Sequence, residues 1–126
     1  MSDEVPRAPT VILIVEDDPI LRLNAANIAE DAGFEVLEAA NADEAIVLLE
    51  GRSDIRILFT DIDMPGSMDG LKLSHAVRKR WPPVKIIVTS GQVKVTAADL
   101  PEGSLFFDKP YRSDQISAAL LRLEAA

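Results

Sequence analysis

The stretch VILIVEDDP, residues 11 to 19, runs five aliphatic residues into three acids and a proline. An unbroken aliphatic run without polar alternation suits a strand covered on both faces, as in a parallel sheet, rather than one with a wet side. Asp18 before Pro19 reads as an N-cap with proline at the first helical position. Leu21, Ala25, Ile28 and Ala32 follow at helical spacing until Gly33 closes the helix.

Outward from this stretch the unit repeats. FEVLEA, 34 to 39, alternates like a strand, and Asn41 with Glu44 forms a capping box for a helix carrying Ala45, Leu48 and Leu49, stopped by Gly51. IRILFT, 55 to 60, is a third strand, and a helix from Asp69 to Trp81 places Leu73, Val77 and Trp81 on one face before Pro82-Pro83 ends it. VKIIVTS, 84 to 90, is a fourth strand. The stretch from Gly91 to Pro101 is short and holds β-branched Val93, Val95 and Thr96, so the fourth helix is expected to be short or irregular. SLFF, 104 to 107, is a fifth strand, and Ser113 is expected to cap a final helix bearing Ile116, Ala119, Leu120 and Leu123. Strands alternating with helices give an α/β fold with a parallel sheet and right-handed crossovers. In this length they predict an open, doubly wound, five-stranded sheet with helices on both faces rather than an eight-fold barrel.

Residues 1 to 10 are polar, contain two prolines and read as a disordered lead-in, leaving 11 to 126 as one domain. The fold uses the chain up, which predicts a stand-alone module. Net charge is −8, from 21 acidic against 13 basic residues, which argues against a nucleic-acid partner because phosphate binding rests on a basic face. No apolar run approaches the roughly 18 to 20 residues that span a bilayer, and the N-terminus lacks the apolar segment of a signal peptide. No membrane association and cytoplasmic residence are expected. The chain has no cysteine, hence no disulfide and no thiolate chemistry.

Open α/β sheets place ligand sites at the carboxyl ends of their strands. The first strand delivers Glu16 and Asp17 there, and the third, in LFTDIDMPG (58 to 66), delivers Asp61. The fourth delivers Thr89 and Ser90, and the fifth delivers Lys109. Crowded carboxylates repel and would hold protons unless a cation sits among them, and hard oxygen ligands without His or Cys favour Mg²⁺. Magnesium keeps several waters and binds by one or two carboxylates plus phosphate oxygens, so a phosphoryl group is the natural missing ligand.

VILIVEDDP, LFTDIDMPG with the following MDG, VTSG and DKP, in this order, resemble the receiver domain of two-component response regulators over about residues 11 to 124. The resemblance implies a flavodoxin-like sheet of order 2-1-3-4-5. It implies that Glu16 and Asp17 hold Mg²⁺ and that Asp61 takes the phosphoryl group. Asp63 is implied to complete the metal site through its backbone carbonyl, and Lys109 to pair with the phosphoryl group, with Pro110 in a cis peptide. Ser90 is implied to bond the phosphoryl oxygen and Phe106 to be the switch aromatic. A sensor histidine kinase or histidine phosphotransfer protein is the implied donor, and an unknown downstream protein the implied reader of a changed surface around the fourth helix and fifth strand.

Departures from the pattern accompany the match. The span from Ser90 to Lys109 is shorter than usual, MPGSMDG carries one extra residue, and Phe106 lacks a tyrosine hydroxyl. Two other readings stand beside it: Asp61-Ile62-Asp63 resembles the Asp-x-Asp start of haloacid-dehalogenase-type phosphatases, and a degenerate receiver would serve only as a scaffold. Read singly, Asp18 and Asp69 are helix caps, Asp63 is a turn former before Pro65-Gly66, Thr89 is the rival for the role of Ser90, and mid-helix His75 has no part in the cluster.

Overall fold

The computed structural model describes residues 8–66 and 68–125. Most of the expected lead-in, residues 1 to 7, lies outside the described residues, as do Ser67 in the lengthened loop and the terminal Ala126. Residues 8 to 10 form no regular element.

The aliphatic run becomes β1 (Val11–Val15), buried at every position. Its neighbours explain why: β2 (Glu35–Ala39) pairs on one side and β3 (Ile55–Asp61) on the other, both parallel. β4 (Lys85–Ser90) and β5 (Leu105–Asp108) complete a parallel sheet of order β2-β1-β3-β4-β5, the flavodoxin-like order. At the edge, β2 keeps Glu35 and Glu38 exposed, half-buries Val36 and Leu37 on opposite faces and buries only Ala39, so its burial does not follow the simple alternation expected of it.

Four α-helices cover the sheet: α1 (Pro19–Asp31), α2 (Ala42–Gly51), α3 (Gly70–Arg80) and α4 (Ser113–Ala125). Ala42, Ala45 and Leu49 of α2 and Leu73 and Val77 of α3 pack on Leu13, Val15, Leu58, Ile86 and Val88. On the other face Ala25, Ala26, Ile28 and Ala29 of α1 and Ile116 and Leu120 of α4 pack on Ile12, Ile14, Ile57, Phe59 and Ile87. The small residues of α1 let its backbone approach the sheet. Each large aliphatic side chain fully withdrawn from water contributes about 1.5–3 kcal/mol, so the two-sided core carries the fold.

Caps follow the sequence with two changes. The Asp18 side chain accepts the Ile20 N–H at 2.8 Å, Asn41 Oδ1 accepts that of Glu44 at 2.9 Å, and Asp69 Oδ1 that of Lys72 at 2.9 Å. The reciprocal half of the capping box closes on the Ala40 N–H, which donates to Glu44 Oε1 at 2.8 Å, one residue ahead of its usual place. Ser113 is not the cap of α4. The Arg112 carbonyl accepts the Gln115 and Ile116 N–H groups, so the helix starts one residue earlier, and Asp114 Oδ1 takes the Gln115 N–H at 3.0 Å.

Between β4 and β5 the described chain forms only a 3₁₀ turn, Ala97–Asp99. Asp99 closes it by accepting the Thr96 N–H at 2.7 Å and the Thr96 hydroxyl at 3.1 Å. His75 Nε2 lies 2.7 Å from the Asp99 carbonyl and ties the turn to α3.

Candidate functional site

Parallel strands bring all their carboxyl ends to one edge, and there β1, β3 and β5 deliver Glu16, Asp61 and Lys109. Alternation puts these three on the α1/α4 side of the sheet, with Ile14, Phe59 and Phe107 one step back along each strand. The Lys109 ammonium lies 2.7 Å from Glu16 Oε1 and 3.0 Å from Asp61 Oδ2. Glu16 and Asp61 are buried, at 4% and 2% exposed, whereas Asp17 faces solvent. Carboxylate oxygens of Glu16, Asp17 and Asp61 all lie within 4.8 Å of one another.

Local backbone fixes each group. Glu16 Oε2 accepts the Asp18 N–H at 3.2 Å, and its carbonyl accepts an Arg22 guanidinium hydrogen at 2.9 Å. Arg22 in turn pairs with Glu38. Asp61 Oδ1 accepts the Asp63 N–H at 3.2 Å, so both oxygens of Asp61 are engaged. The Lys109–Pro110 peptide is cis. Behind the lysine the Tyr111 ring meets Phe59 edge-on at 5.8 Å.

Gly70, the first residue of α3 and the last of the MDG motif, is a positioning residue to which the sequence reading assigned no role. A β-carbon there would overlap the backbone carbonyl of Asp61 and the Thr60 hydroxyl, so only glycine lets α3 start against the end of β3. The available signal was a glycine directly after the Asp69 cap, where a better helix former would otherwise be favoured.

Burial pushes Glu16 up from 4.5 to about 6, opposed by the Lys109 ammonium and the Asp18 N–H and aided by the Asp61 charge. Asp61 is also pushed up by burial, against the pull of Lys109 and the Asp63 N–H. Burial acts to lower Lys109, yet its bonds to Glu16 and Asp61 outweigh this and raise it. One ammonium thus faces two withdrawn carboxylates, and a third lies beside them. This oxygen-only donor set, short of positive charge, fits a hard divalent cation such as Mg²⁺.

β4 places its two hydroxyls on opposite faces. Phe106 packs with the cluster of Val88, and Phe107 with that of Ile87, so alternation sets Ser90 on the Phe106 side and Thr89 on the Asp61 side. Thr89 Oγ1 is buried without a hydrogen-bond partner among the described residues. Ser90 Oγ lies 2.7 Å from the Val93 carbonyl and 3.1 Å from Asp63 Oδ2. The Asp63 carboxylate therefore faces the turn after β4. Burial pushes it up, but the Gly91 N–H, the Ser90 hydroxyl and the Gln92 and Val93 N–H groups outweigh burial and hold it below the usual carboxylate range. His75 touches the 3₁₀ turn, not this cluster.

A five-stranded sheet of this order, with an acidic group and a lysine at its carboxyl edge, defines the class, and the chain matches the response regulator receiver domain over residues 12–121. It belongs to that family, the phosphoryl-accepting domain of two-component signalling, in which a phosphorylated aspartate and bound Mg²⁺ are general features. Family membership removes the phosphatase alternative. The chain is 36% identical to chemotaxis protein CheY of Listeria monocytogenes over 114 residues, 86% of this chain and 93% of that protein. It is 32% identical to nitrogen assimilation regulatory protein NtrX of Azorhizobium caulinodans over 83% of this chain, but spans only 24% of that protein's length. A response regulator receiver protein from Sinorhizobium medicae superposes with a TM-score of 0.86 at 28% identity, covering 94% of this chain and 96% of that one. No helix among the described residues is long and apolar enough to cross a membrane.

Proposed function

We propose that this chain is a signalling switch in which Asp61 accepts a phosphoryl group from a phosphohistidine on a sensor histidine kinase or a histidine phosphotransfer protein. The observation that carries this reading is the Asp61 carboxylate, paired with Lys109 at 3.0 Å and grouped with Glu16 and Asp17. An Asp61 oxygen attacks phosphorus, the P–N bond breaks, and its electron pair leaves on the imidazole. Phosphoryl transfer asks mainly for positioning and for cations facing the equatorial oxygens, and Lys109 is one such cation at the reacting carboxylate.

Glu16, Asp17, Asp61 and the Asp63 backbone carbonyl would hold Mg²⁺, which supplies charge neutralisation for the incoming phosphoryl group. Ser90 shares the face of Phe106, away from Asp61, whereas Thr89 lies on the Asp61 side with its hydroxyl unpartnered among the described residues. Thr89, the rival for the role, is therefore the hydroxyl suited to meet new phosphoryl oxygens. A shift of the end of β4 toward them would change the space beside the Phe106 ring and the surface that a downstream protein reads. The acyl phosphate is labile, and attack by water at phosphorus returns phosphate and the carboxylate, resetting the switch slowly.

Incubation with phosphoramidate and Mg²⁺ should add one phosphoryl group by intact mass and none to Asp61→Asn. An unmodified wild type that binds Mg²⁺ would favour the scaffold reading instead.

A further inference from the structure

Asp63 brings a side-chain charge that the proposed chemistry leaves unused. Its Oδ2 accepts the Gly91 N–H at 3.0 Å and the Gln92 N–H at 3.4 Å, and stands 3.1 Å from Ser90 Oγ. Successive donors of one turn converging on one oxygen form an anion-binding concavity, and here a carboxylate from β3's own loop fills it. The Ser90 hydroxyl has a single proton, for which the Val93 carbonyl at 2.7 Å competes with Asp63.

The turn lies beside Asp61's partner. A β-carbon on Gly91 would sit 3.5 Å from Lys109 Cβ and 3.7 Å from Cδ, and the Lys109 N–H donates to the Ser90 carbonyl at 2.9 Å. Asp63 itself is tied back to Asp61 through its N–H. With only a short 3₁₀ turn before β5, this start of the connection is held chiefly by Asp63 and its far part by His75.

We propose that the Asp63 carboxylate is an internal latch, an anion that occupies the donors of the Ser90–Gln92 turn in the unmodified protein and must be displaced when Asp61 gains a phosphoryl group. A phosphoryl group brings about 1.5–2 negative charges and strong acceptor oxygens, so it both repels Asp63 and competes for the same donors. The competition rests on the reading of Asp61 as acceptor, while the latch exists, and is measurable, without any modification.

The first measurement is amide hydrogen exchange by NMR in unmodified protein, without metal, for wild type, Asp63→Asn and Asp63→Ala. Loss of a charge-assisted acceptor should speed exchange at Gly91 and Gln92 by about 10- to 100-fold in the alanine variant. The asparagine variant, which keeps an acceptor oxygen, should fall between, with amides of β1 and β3 unchanged. Equal exchange in all three proteins overturns the latch. The second measurement is the rate of Asp61 modification by phosphoramidate and Mg²⁺, expected to rise in the order wild type, Asn, Ala. Faster exchange with an unchanged order of modification rates overturns the competition. Failure of every variant and wild type to be modified overturns the acceptor reading instead, and the exchange result still decides the latch.

Discussion

The Lys109 ammonium sits 3.0 Å from Asp61 Oδ2, and the same nitrogen holds Glu16 Oε1 at 2.7 Å, so one cation serves two buried carboxylates. Lys109→Met would strand both. Removing one partner of a buried ion pair costs about 3 kcal/mol, and somewhat less at a site open on one side. Urea unfolding of metal-free protein at pH 7 should show a loss of about 2 kcal/mol, with most of it restored by Lys109→Arg. Because the folded pKa of Lys109 is raised, its contribution is fully present below the unfolded value of 10.5, so the difference should hold between pH 7 and 9.

Glu16 sets a pH dependence of the opposite sense from an ordinary salt-bridged acid. Its folded pKa of about 6 lies above the unfolded 4.5, so between these values the native state binds more protons. Stability of the metal-free protein should therefore fall as pH rises from about 4.5 to about 6, by roughly 2 kcal/mol in total, and stay low above that. Asp61, also raised, adds to the fall. The lowered Asp63 and Asp54 act the other way, but only below their unfolded 3.8. Denaturation midpoints in EDTA from pH 4 to 8 check the slope, Glu16→Gln should flatten it, and saturating Mg²⁺ should reverse it by favouring the charged forms.

Gly70→Ala tests the contact of α3 with β3. The added methyl meets backbone at Asp61, which cannot swing away, so the helix start must move. A loss of about 3 kcal/mol in denaturant unfolding is expected, with Mg²⁺ affinity by calorimetry lowered as well.

Magnesium titration should leave the emission of Trp81 unchanged. Trp81 ends α3 with Arg80 stacked 4.3 Å over its ring, beside Ile55 and Val84 at the opposite end of the strands from Asp61. Amide signals of Glu16, Asp17, Asp61 and Lys109 should move instead, and the thermal midpoint should rise by mass action.

His75→Ala should loosen only the 3₁₀ turn. The ring is exposed and bonds a single carbonyl, so global stability should change by no more than about 1 kcal/mol. Hydrogen exchange at Asp99 and Leu100 should speed up while the amides of α3 keep their protection.

Strand and helix order was legible because the local signals are strong: VILIV is covered on both faces, FEVLEA forms a strand at an edge, and Asp18-Pro19 and Asp69 start helices where expected. The weak fourth helix was legible too, from its β-branched residues. The start of α4 was not, because Ser113 is a good cap by type while Asp114 takes the bond in space.

By itself the chain's sequence determined which residues reach the carboxyl edge of the sheet, since parallel strands deliver Glu16, Asp61 and Lys109 to one end whatever the details. Only the tertiary structure decided what each group faces there. The directions of the Asp63 carboxylate, of Ser90 against Thr89, and of His75 depend on register between β3 and β4 and on where α3 sits, and these are set by packing between segments distant in the chain. A strand's ends follow from local hydrophobic pattern, but the partner of a polar side chain is chosen by the one arrangement that buries both faces of the sheet.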